Sequence, residues 1–132
     1  MLRKIIATTS APAAVGPYSQ AVQLGQTLYM SGQIGLNPAT MQMAGPDVES
    51  QAEQVLINMA AVLKAAGSDM SKVVKTTVLL ADMNDFARVN AIYAKHFSEP
   101  FPARACYQAA GLPKQALVEI EAVAAVGDVK DE

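Results

Sequence analysis

The 132-residue chain has few of the residues that form cross-links and metal sites. It contains one cysteine, Cys106, and one histidine, His96. A single cysteine excludes an internal disulfide, and the lack of a disulfide framework is typical of a reducing compartment. The two residues also lack the spacing of zinc ligands, so we expect no structural zinc site.

Long apolar runs and clusters of positive charge are missing as well. No apolar run approaches the roughly 20 residues that a membrane span needs, and the one that follows Arg3 and Lys4 is too short for a signal peptide. We therefore expect a cytoplasmic protein. The formal net charge is −2, with no run of lysine or arginine. Sequence-independent nucleic-acid binding depends on clustered cations, so a dedicated nucleic-acid binder is disfavoured.

Apolar residues, in contrast, are plentiful. Hydrophobic residues make up 52% of the chain and charged residues 17%. The length is that of one ordinary domain, so we predict a single domain over residues 1–132. Such a high apolar content in a small domain indicates that self-association covers part of its surface.

The chain alternates between strand-like and helix-like patterns. A first helix is predicted from an N-cap at Asp47 to a stop at Gly67, and a second from near Asn84 to about Phe97. Strands are predicted at residues 5–7, extended by neighbouring residues, and at 20–24, 27–31, 73–80, 103–108 and 117–125. Gly25-Gln26 is predicted as a two-residue hairpin turn between the second and third strands. This order predicts an α+β fold, with a mixed sheet of about six strands and both helices packed on one face. The opposite face then needs cover, which oligomerisation would provide.

Arg104 is the first candidate for chemistry, because it lies in an otherwise uncharged strand. A period of two places it on the same face as Cys106. An unpaired charge in apolar surroundings is costly, so the guanidinium needs an anionic partner. That partner is either the carboxylate of a ligand, which the planar fork fits well, or a carboxylate of the protein itself in a structural ion pair.

Glu119 is the second candidate. The alternation of the last strand places Glu119 and Glu121 on one face. A carboxylate in a partly dry site can act as a general base toward water, and burial shifts its pKa toward the working pH. The alternative is that both glutamates form the solvated face of an edge strand.

Several other residues are weaker candidates, each with a plain structural alternative. Tyr18 lies in a Gly-Pro loop beside a strand. Ser31 and Gly32 end a strand, where Gly32 would let a ligand approach the backbone. Asn90 lies on the apolar stripe of the second helix and should have a hydrogen-bond partner. Cys106 lacks a neighbouring base, which favours a small buried thiol over a nucleophile.

Five segments occur together in one order, and together they span almost the whole chain. They are AVGPYSQA (14–21), SGQI (31–34), NDF with VN (84–90), FPAR (101–104) and VEIEA (118–122). In this combination the chain resembles the RidA family, the YjgF-like reactive intermediate deaminases. Tyr107-Gln108 and Leu112-Pro113-Lys114 give it the look of the animal members.

The resemblance implies a fold like that of chorismate mutase and a homotrimer with an active site in each cleft between subunits. It also implies hydrolysis of the 2-imino acids 2-iminobutanoate and 2-iminopropanoate to 2-keto acids and ammonia, with no metal or organic cofactor. In the family pattern, Arg104 holds the substrate carboxylate and Glu119 is associated with the attacking water. The remaining pocket positions are matched by Tyr18, Ser31, Gly32, Phe86, Asn90 and Cys106.

Two other functions remain open at this point. One is an RNA-directed role, as a translation inhibitor or endoribonuclease, in which Glu119 and Arg104 would serve as base and cation. The acidic balance of the chain and the missing basic stripe argue against tight RNA binding. The other is a non-enzymatic protein that binds small ligands or holds unfolded clients on its apolar surface.

Overall fold

One mixed six-stranded sheet and two α-helices make up the computed structural model, which describes all 132 residues. The strands are β1 (Arg3–Ile6), β2 (Ala21–Leu24), β3 (Thr27–Gln33), β4 (Val73–Leu80), β5 (Ala103–Gln108) and β6 (Val118–Ala125), and the helices are α1 (Val48–Ala65) and α2 (Phe86–His96). The spatial order is β1-β2-β3-β6-β4-β5. Only β4 and β5 run parallel. The predicted α+β fold with a mixed sheet of six strands is confirmed.

The first helix begins and ends as its sequence predicts. The Asp47 carboxylate accepts a hydrogen bond from the Ser50 backbone N–H at 3.0 Å, which caps the N-terminus. Gly67 follows the helix with a φ of 76°, in the left-handed region that glycine adopts readily. The buried stripe of α1 packs on the sheet as part of the central core. Neither helix is long and apolar enough to cross a membrane.

The second helix begins two residues later than predicted. The Asp82 carboxylate accepts a hydrogen bond from the Asn84 backbone N–H, and this cap forms a short 3-10 turn over Met83–Asp85 before α2 starts. The helix then buries Val89 and Tyr93 against α1 and the sheet. Both helices therefore contribute to one core on one side of the sheet, as predicted.

The strand boundaries differ from the predictions mainly in β1 and β3. Strand β1 extends to Arg3 on its N-terminal side but ends at Ile6, one residue before the predicted Ala7, and β3 continues to Gln33. The predicted two-residue hairpin turn at Gly25-Gln26 is confirmed, since Leu24 pairs with Thr27. Strand β6 lies between β3 and β4, so its interpretation as an edge strand is wrong.

The two helices cover only one face of the sheet. On the helix face, Val78 of β4 and its partner Ile120 of β6 are fully buried. On the opposite face, no helix of the chain covers the sheet. There the side chains of Ile5, Tyr29 and Tyr107 are each more than half exposed. The chain thus presents apolar surface on the face that the sequence predicted to need a partner.

Candidate active site

Arg104 is held by residues of helix α2. It lies in β5 beside Thr76 of β4, on the helix face of the sheet. Its Nη1 donates a hydrogen bond to Asn90 Oδ1 at 2.8 Å. The guanidinium carbon lies 5.5 Å from the centre of the Phe86 ring and 5.0 Å from the centre of the Tyr93 ring. Three of the predicted site residues, Phe86, Asn90 and Arg104, therefore meet.

The positive charge of Arg104 has no carboxylate partner in the chain. The ion pairs of the structure join Arg88 to Asp85 and Glu49, and His96 to Glu53. Arg104 therefore forms no structural ion pair within its own chain. Aromatic faces and an amide oxygen stabilise a cation without neutralising it, so the remaining guanidinium donors are free to bind an external anion.

A cavity of about 380 Å³ lies next to this guanidinium. Its walls are formed by Asn90, Tyr93, Ala94, Phe101, Pro102 and Arg104. Cys106 lies two residues further along β5, on the same face as Arg104 and packed against the core. Burial raises the pKa of the Cys106 thiol, with a smaller opposing effect of the nearby Arg104. The thiol therefore stays protonated at neutral pH, although its side chain is partly buried rather than fully buried as predicted.

Glu119 lies near the start of β6, against the backbone of β3. The β3–β6 register shifts between Met30 and Gln33, so Ser31 and Gly32 have no partner in the ladder. A methyl group on Gly32 would lie 2.6 Å from Oε2 of Glu119. Close approach to the Gly32 backbone was predicted for a ligand. In the chain, the Glu119 carboxylate itself occupies that space.

The environment of Glu119 raises the pKa of its carboxyl group. Burial raises the pKa of its carboxyl, and the negative charge of Glu121 raises it further. Glu119 and Glu121 share one face, as predicted, because they pair with Leu79 and Thr77 of β4. A carboxyl group with a raised pKa is suited to act as a general base near neutral pH.

The cavity beside Glu119 has a volume of about 100 Å³ and is lined by Gly32, Tyr18 and residues of three loops. The loop that bears Tyr18 is held in place by hydrogen bonds of two neighbouring side chains. Ser31 Oγ donates to the Ser19 carbonyl at 2.6 Å, and the buried Gln20 side chain bonds to the backbone of Thr8 and Pro12. The Ser31 hydroxyl proton is therefore used to hold the loop.

The predicted site residues thus form two separate groups. One consists of Phe86, Asn90, Arg104 and Cys106, and the other of Tyr18, Ser31, Gly32 and Glu119. Arg104 shares the helix face with Thr76, whereas Glu119 shares the opposite face with Leu79. Within one chain, the sheet separates the guanidinium from the carboxylate.

Tyr93 and Lys114 are at these sites although neither was predicted as a site residue. Tyr93 lies beneath Arg104, but on the helix stripe it has the pattern of a core residue. Lys114 lines the Glu119 cavity with a φ of 54°, which is uncommon for a residue other than glycine. No local sequence signal marks either contact, because both depend on how distant segments meet.

Comparison with known proteins identifies the family. The family model described as Endoribonuclease L-PSP matches residues 8–126. The mouse 2-iminobutanoate/2-iminopropanoate deaminase is 57% identical over 96% of this chain and 94% of its own length. RidA from the Antarctic bacterium Psychrobacter has a TM-score of 0.91 and 48% identity, covering 93% of this chain and 99% of its own. Escherichia coli TdcF with bound serine has a TM-score of 0.88 and 42% identity, covering 94% of this chain and 99% of its own. The chain belongs to the endoribonuclease L-PSP family, which is the YjgF-like RidA family that its motifs resemble.

Proposed function

We propose that this protein hydrolyses 2-iminobutanoate and 2-iminopropanoate to the corresponding 2-keto acids and ammonia. Curated relatives from mouse, cattle and human, at 55–57% identity over 96% of the chain, are named for this activity. The observation in the chain that carries the proposal is the Arg104 guanidinium, which is held by Asn90 and two aromatic rings but has no carboxylate partner. A 2-imino acid supplies that carboxylate.

In the proposed mechanism, Arg104 binds the substrate carboxylate through two parallel N–H···O bonds. This fixes the imine carbon relative to the attacking water, and orientation of this kind contributes much of an enzyme's rate. Phe86 packs against the guanidinium, and Cys106 lies on the same face of β5 as Arg104; we assign both the pocket positions that the family resemblance implies.

Glu119 acts as the general base. The water oxygen forms a bond to the imine carbon while Glu119 takes the water proton, and the C=N π electrons move to nitrogen. The product of this step is a tetrahedral carbinolamine. Its nitrogen then takes up a proton and leaves as ammonia when the C–N bond breaks, while the hydroxyl loses its proton and becomes the ketone. A protonated imine is already electrophilic, so the proposed steps need no metal or organic cofactor.

The other residues of the Glu119 group orient the reacting atoms. Tyr18 and the Gly32 backbone line the cavity beside the carboxylate, where they would contact the imine nitrogen and the carbinolamine. Ser31 acts by holding the Tyr18 loop through its bond to Ser19. Its oxygen still has acceptor capacity for the substrate.

We further propose that the active site forms between subunits of a homotrimer, in the chorismate-mutase-like arrangement that the family resemblance implies. Arg104 and Glu119 lie on opposite faces of one sheet, so a substrate that touches both needs the Arg104 group of one copy and the Glu119 group of the next. The exposed Ile5, Tyr29 and Tyr107 on the uncovered face provide apolar surface for such contacts.

A coupled assay tests the activity. Threonine dehydratase would generate 2-iminobutanoate in the presence of semicarbazide, and purified protein would compete with the trap. We expect wild type to suppress semicarbazone formation and Arg104→Ala to lose about 100-fold or more in kcat/KM. Arg88→Ala is the matched control, because that arginine is already paired with Asp85. Equal activity of the wild type and Arg104→Ala would contradict the proposal.

Mixed oligomers test the shared site. Arg104→Ala and Glu119→Gln chains would be assayed alone and after unfolding and refolding together at equal amounts. If each site takes its two groups from neighbouring copies of a ring, about one quarter of the sites in the mixture are complete, although each variant alone is inactive. If both groups act within one chain, no complete site can form and the mixture stays inactive.

RNA cleavage is the second candidate, because the matching family model is described as an endoribonuclease. Arg104 would then contact a phosphate and Glu119 would act as the base. This function predicts RNA cleavage that falls steeply with salt and is lost in Arg104→Ala. Cleavage that is unchanged in that variant would point to a contaminating nuclease.

A further inference from the structure

Tyr93 of α2 connects Arg104 to the core of the protein. Its ring centre lies 5.0 Å from the guanidinium carbon, well within the range of a cation–π contact. Tyr93 is buried, whereas Arg104 is exposed. The Tyr93 hydroxyl and Thr76 Oγ1 are hydrogen-bonded at 2.8 Å, and Thr76 is fully buried in β4. Thr76, Tyr93 and Arg104 thus form a continuous series of contacts from the core to the surface.

We propose that Tyr93, fixed by Thr76, is a positioning residue that holds Arg104 in the orientation that binds the substrate carboxylate. This inference rests on the proposed function, in which Arg104 is the carboxylate clamp. In this proposal Tyr93 does not contact the substrate. It affects the reaction only by holding the Arg104 guanidinium in place.

An aromatic ring restrains Arg104 in a different way from a carboxylate. An aromatic ring attracts a cation through its π face and uses none of the five guanidinium N–H donors. A carboxylate in the same place would occupy two donors and neutralise the charge. In this structure Arg104 gives one hydrogen bond, to Asn90, and otherwise lies over the rings of Tyr93 and Phe86. The side chain is therefore restrained while its charge and most of its donors remain available.

Thr76 explains why the ring itself stays in place. A buried tyrosine hydroxyl needs a hydrogen-bond partner, and the β-branched Thr76 supplies one from a side chain with a stiff χ1 angle. Thr76 also pairs with Arg104 in the β4–β5 register, so the anchor and the supported residue belong to neighbouring strands. Phe97 packs on Tyr93 with ring centres 4.4 Å apart. The ring is thus held at its hydroxyl end by Thr76 and packed by Phe97.

The Tyr93 hydroxyl contributes no charge to this arrangement. Burial raises the pKa of Tyr93 above its ordinary value, and the opposing effects of Thr76 and Arg104 are smaller. The residue is therefore neutral at physiological pH, and it acts on Arg104 through its ring.

The test compares Tyr93→Leu, Tyr93→Phe and Thr76→Val with the wild-type oligomer. The probe is 2-oxobutanoate, the keto acid product, whose dissociation constant is measured by titration along with KM and kcat for 2-iminobutanoate. Leu63→Ala is the matched control for lost core packing, because Leu63 is fully buried in α1 and belongs neither to the cavity wall nor to the hydrogen-bond and aromatic partners of Arg104. The chain has three arginines, so the Arg104 Nε–H signal in an NMR spectrum reports directly on its environment.

We expect Tyr93→Leu to raise the dissociation constant and KM by about 5- to 10-fold, the size of effect that a cation–π contact supports. The substrate carboxylate is bound in both the ground state and the transition state, so most of the loss should appear in KM. We expect a smaller fall in kcat, because a less restrained guanidinium orients the imine carbon less well. Tyr93→Phe keeps the ring but loses the hydrogen bond to Thr76, so it should raise the dissociation constant by a smaller factor than Tyr93→Leu. Thr76→Val should shift the Arg104 Nε–H signal and raise the dissociation constant by a smaller factor. Leu63→Ala should lower the melting temperature and leave KM unchanged.

Unchanged binding of 2-oxobutanoate in Tyr93→Leu would overturn the positioning role, even if the Arg104 signal shifts. If that variant does not fold, Thr76→Val decides the question by the same readout. A rise in KM in Leu63→Ala equal to that in Tyr93→Leu would also overturn it, because lost stability would then explain both. Wild-type protein that neither binds 2-oxobutanoate nor hydrolyses the imine would instead overturn the proposed function, and the positioning role with it.

Discussion

The carboxylate of Glu119 lies so close to the backbone of Gly32 that any side chain at position 32 would displace it. A Cβ atom on Gly32 would meet Oε2 at 2.6 Å and Cδ at 2.9 Å. Glycine is needed here for space, because the register shift in β3 brings the backbone against a carboxylate from the neighbouring strand. The position of the proposed general base thus depends on the absence of a side chain in a different strand.

Gly32→Ala should therefore impair catalysis while the protein stays folded. The added methyl group forces the carboxylate to move, and a displacement of about 1 Å at a reacting group can cost about 100-fold in rate. We expect kcat to fall by about that factor, with a smaller change in KM, because Arg104 is untouched. Gly111→Ala is the matched control, since a Cβ atom there meets nothing within 4 Å. Wild-type kcat in Gly32→Ala would show that the position of Glu119 does not matter to the reaction.

The acid limb of the pH profile should lie above the ordinary range of a glutamate. Burial raises the pKa of Glu119, and the charge of Glu121 raises it further. A general base must be deprotonated, so kcat/KM should fall as the pH drops through this raised pKa. Replacing Glu121 with glutamine removes a repulsive negative charge, which lowers the pKa of Glu119 and moves the acid limb to lower pH. The measurement is kcat/KM against pH for both proteins.

Glu132→Gln provides the control for that shift, because it makes the same change of charge at the exposed C-terminus. Its acid limb should coincide with that of the wild type. An acid limb that stays in place in Glu121→Gln would assign the titration to a group other than Glu119.

Cys106 should be dispensable for the chemistry. Burial raises the pKa of its thiol, which keeps it protonated and poorly nucleophilic. We expect Cys106→Ala to retain kcat within about threefold of the wild type, since the change removes only a small apolar group from the pocket. Iodoacetamide should react slowly with the wild-type thiol at neutral pH. Complete loss of activity in Cys106→Ala would instead assign the thiol a covalent role.

The elements of this fold were predictable where local chemistry decides them. The cap at Asp47, the left-handed stop at Gly67 and the hairpin at Gly25 each depend on residues close together in sequence, and all three are confirmed. The start of α2 was placed too early, because the Asp82 side chain caps a 3-10 turn that precedes the helix. Helical periodicity does not distinguish that turn from the helix itself.

The arrangement of the site was less predictable, because it depends on the order of strands in the sheet. Periodicity placed Arg104 with Cys106 and Glu119 with Glu121, and both pairings are confirmed. It did not reveal that the two pairs lie on opposite faces, which follows from the registers in which β5 and β6 pair with β4. The contact of Tyr93 with Arg104 could not be predicted from the sequence either, because it requires α2 to pack on the parallel β4–β5 pair.

Asn90 offers the most direct test of why Arg104 is left without a carboxylate. Its amide oxygen accepts one hydrogen bond from Nη1 at 2.8 Å and carries no charge. In Asn90→Asp, a carboxylate would form a charge-assisted pair with the guanidinium and compete with the substrate for the same donors. We expect KM to rise by about 10-fold or more, with kcat affected less. Asn90→Ser, which is neutral, should show a smaller change.

Because added salt screens the new ion pair, the KM of Asn90→Asp should fall relative to that of Asn90→Ser as ionic strength increases. A KM in Asn90→Asp equal to the wild-type value would mean that the charge of Arg104 is not what binds the substrate.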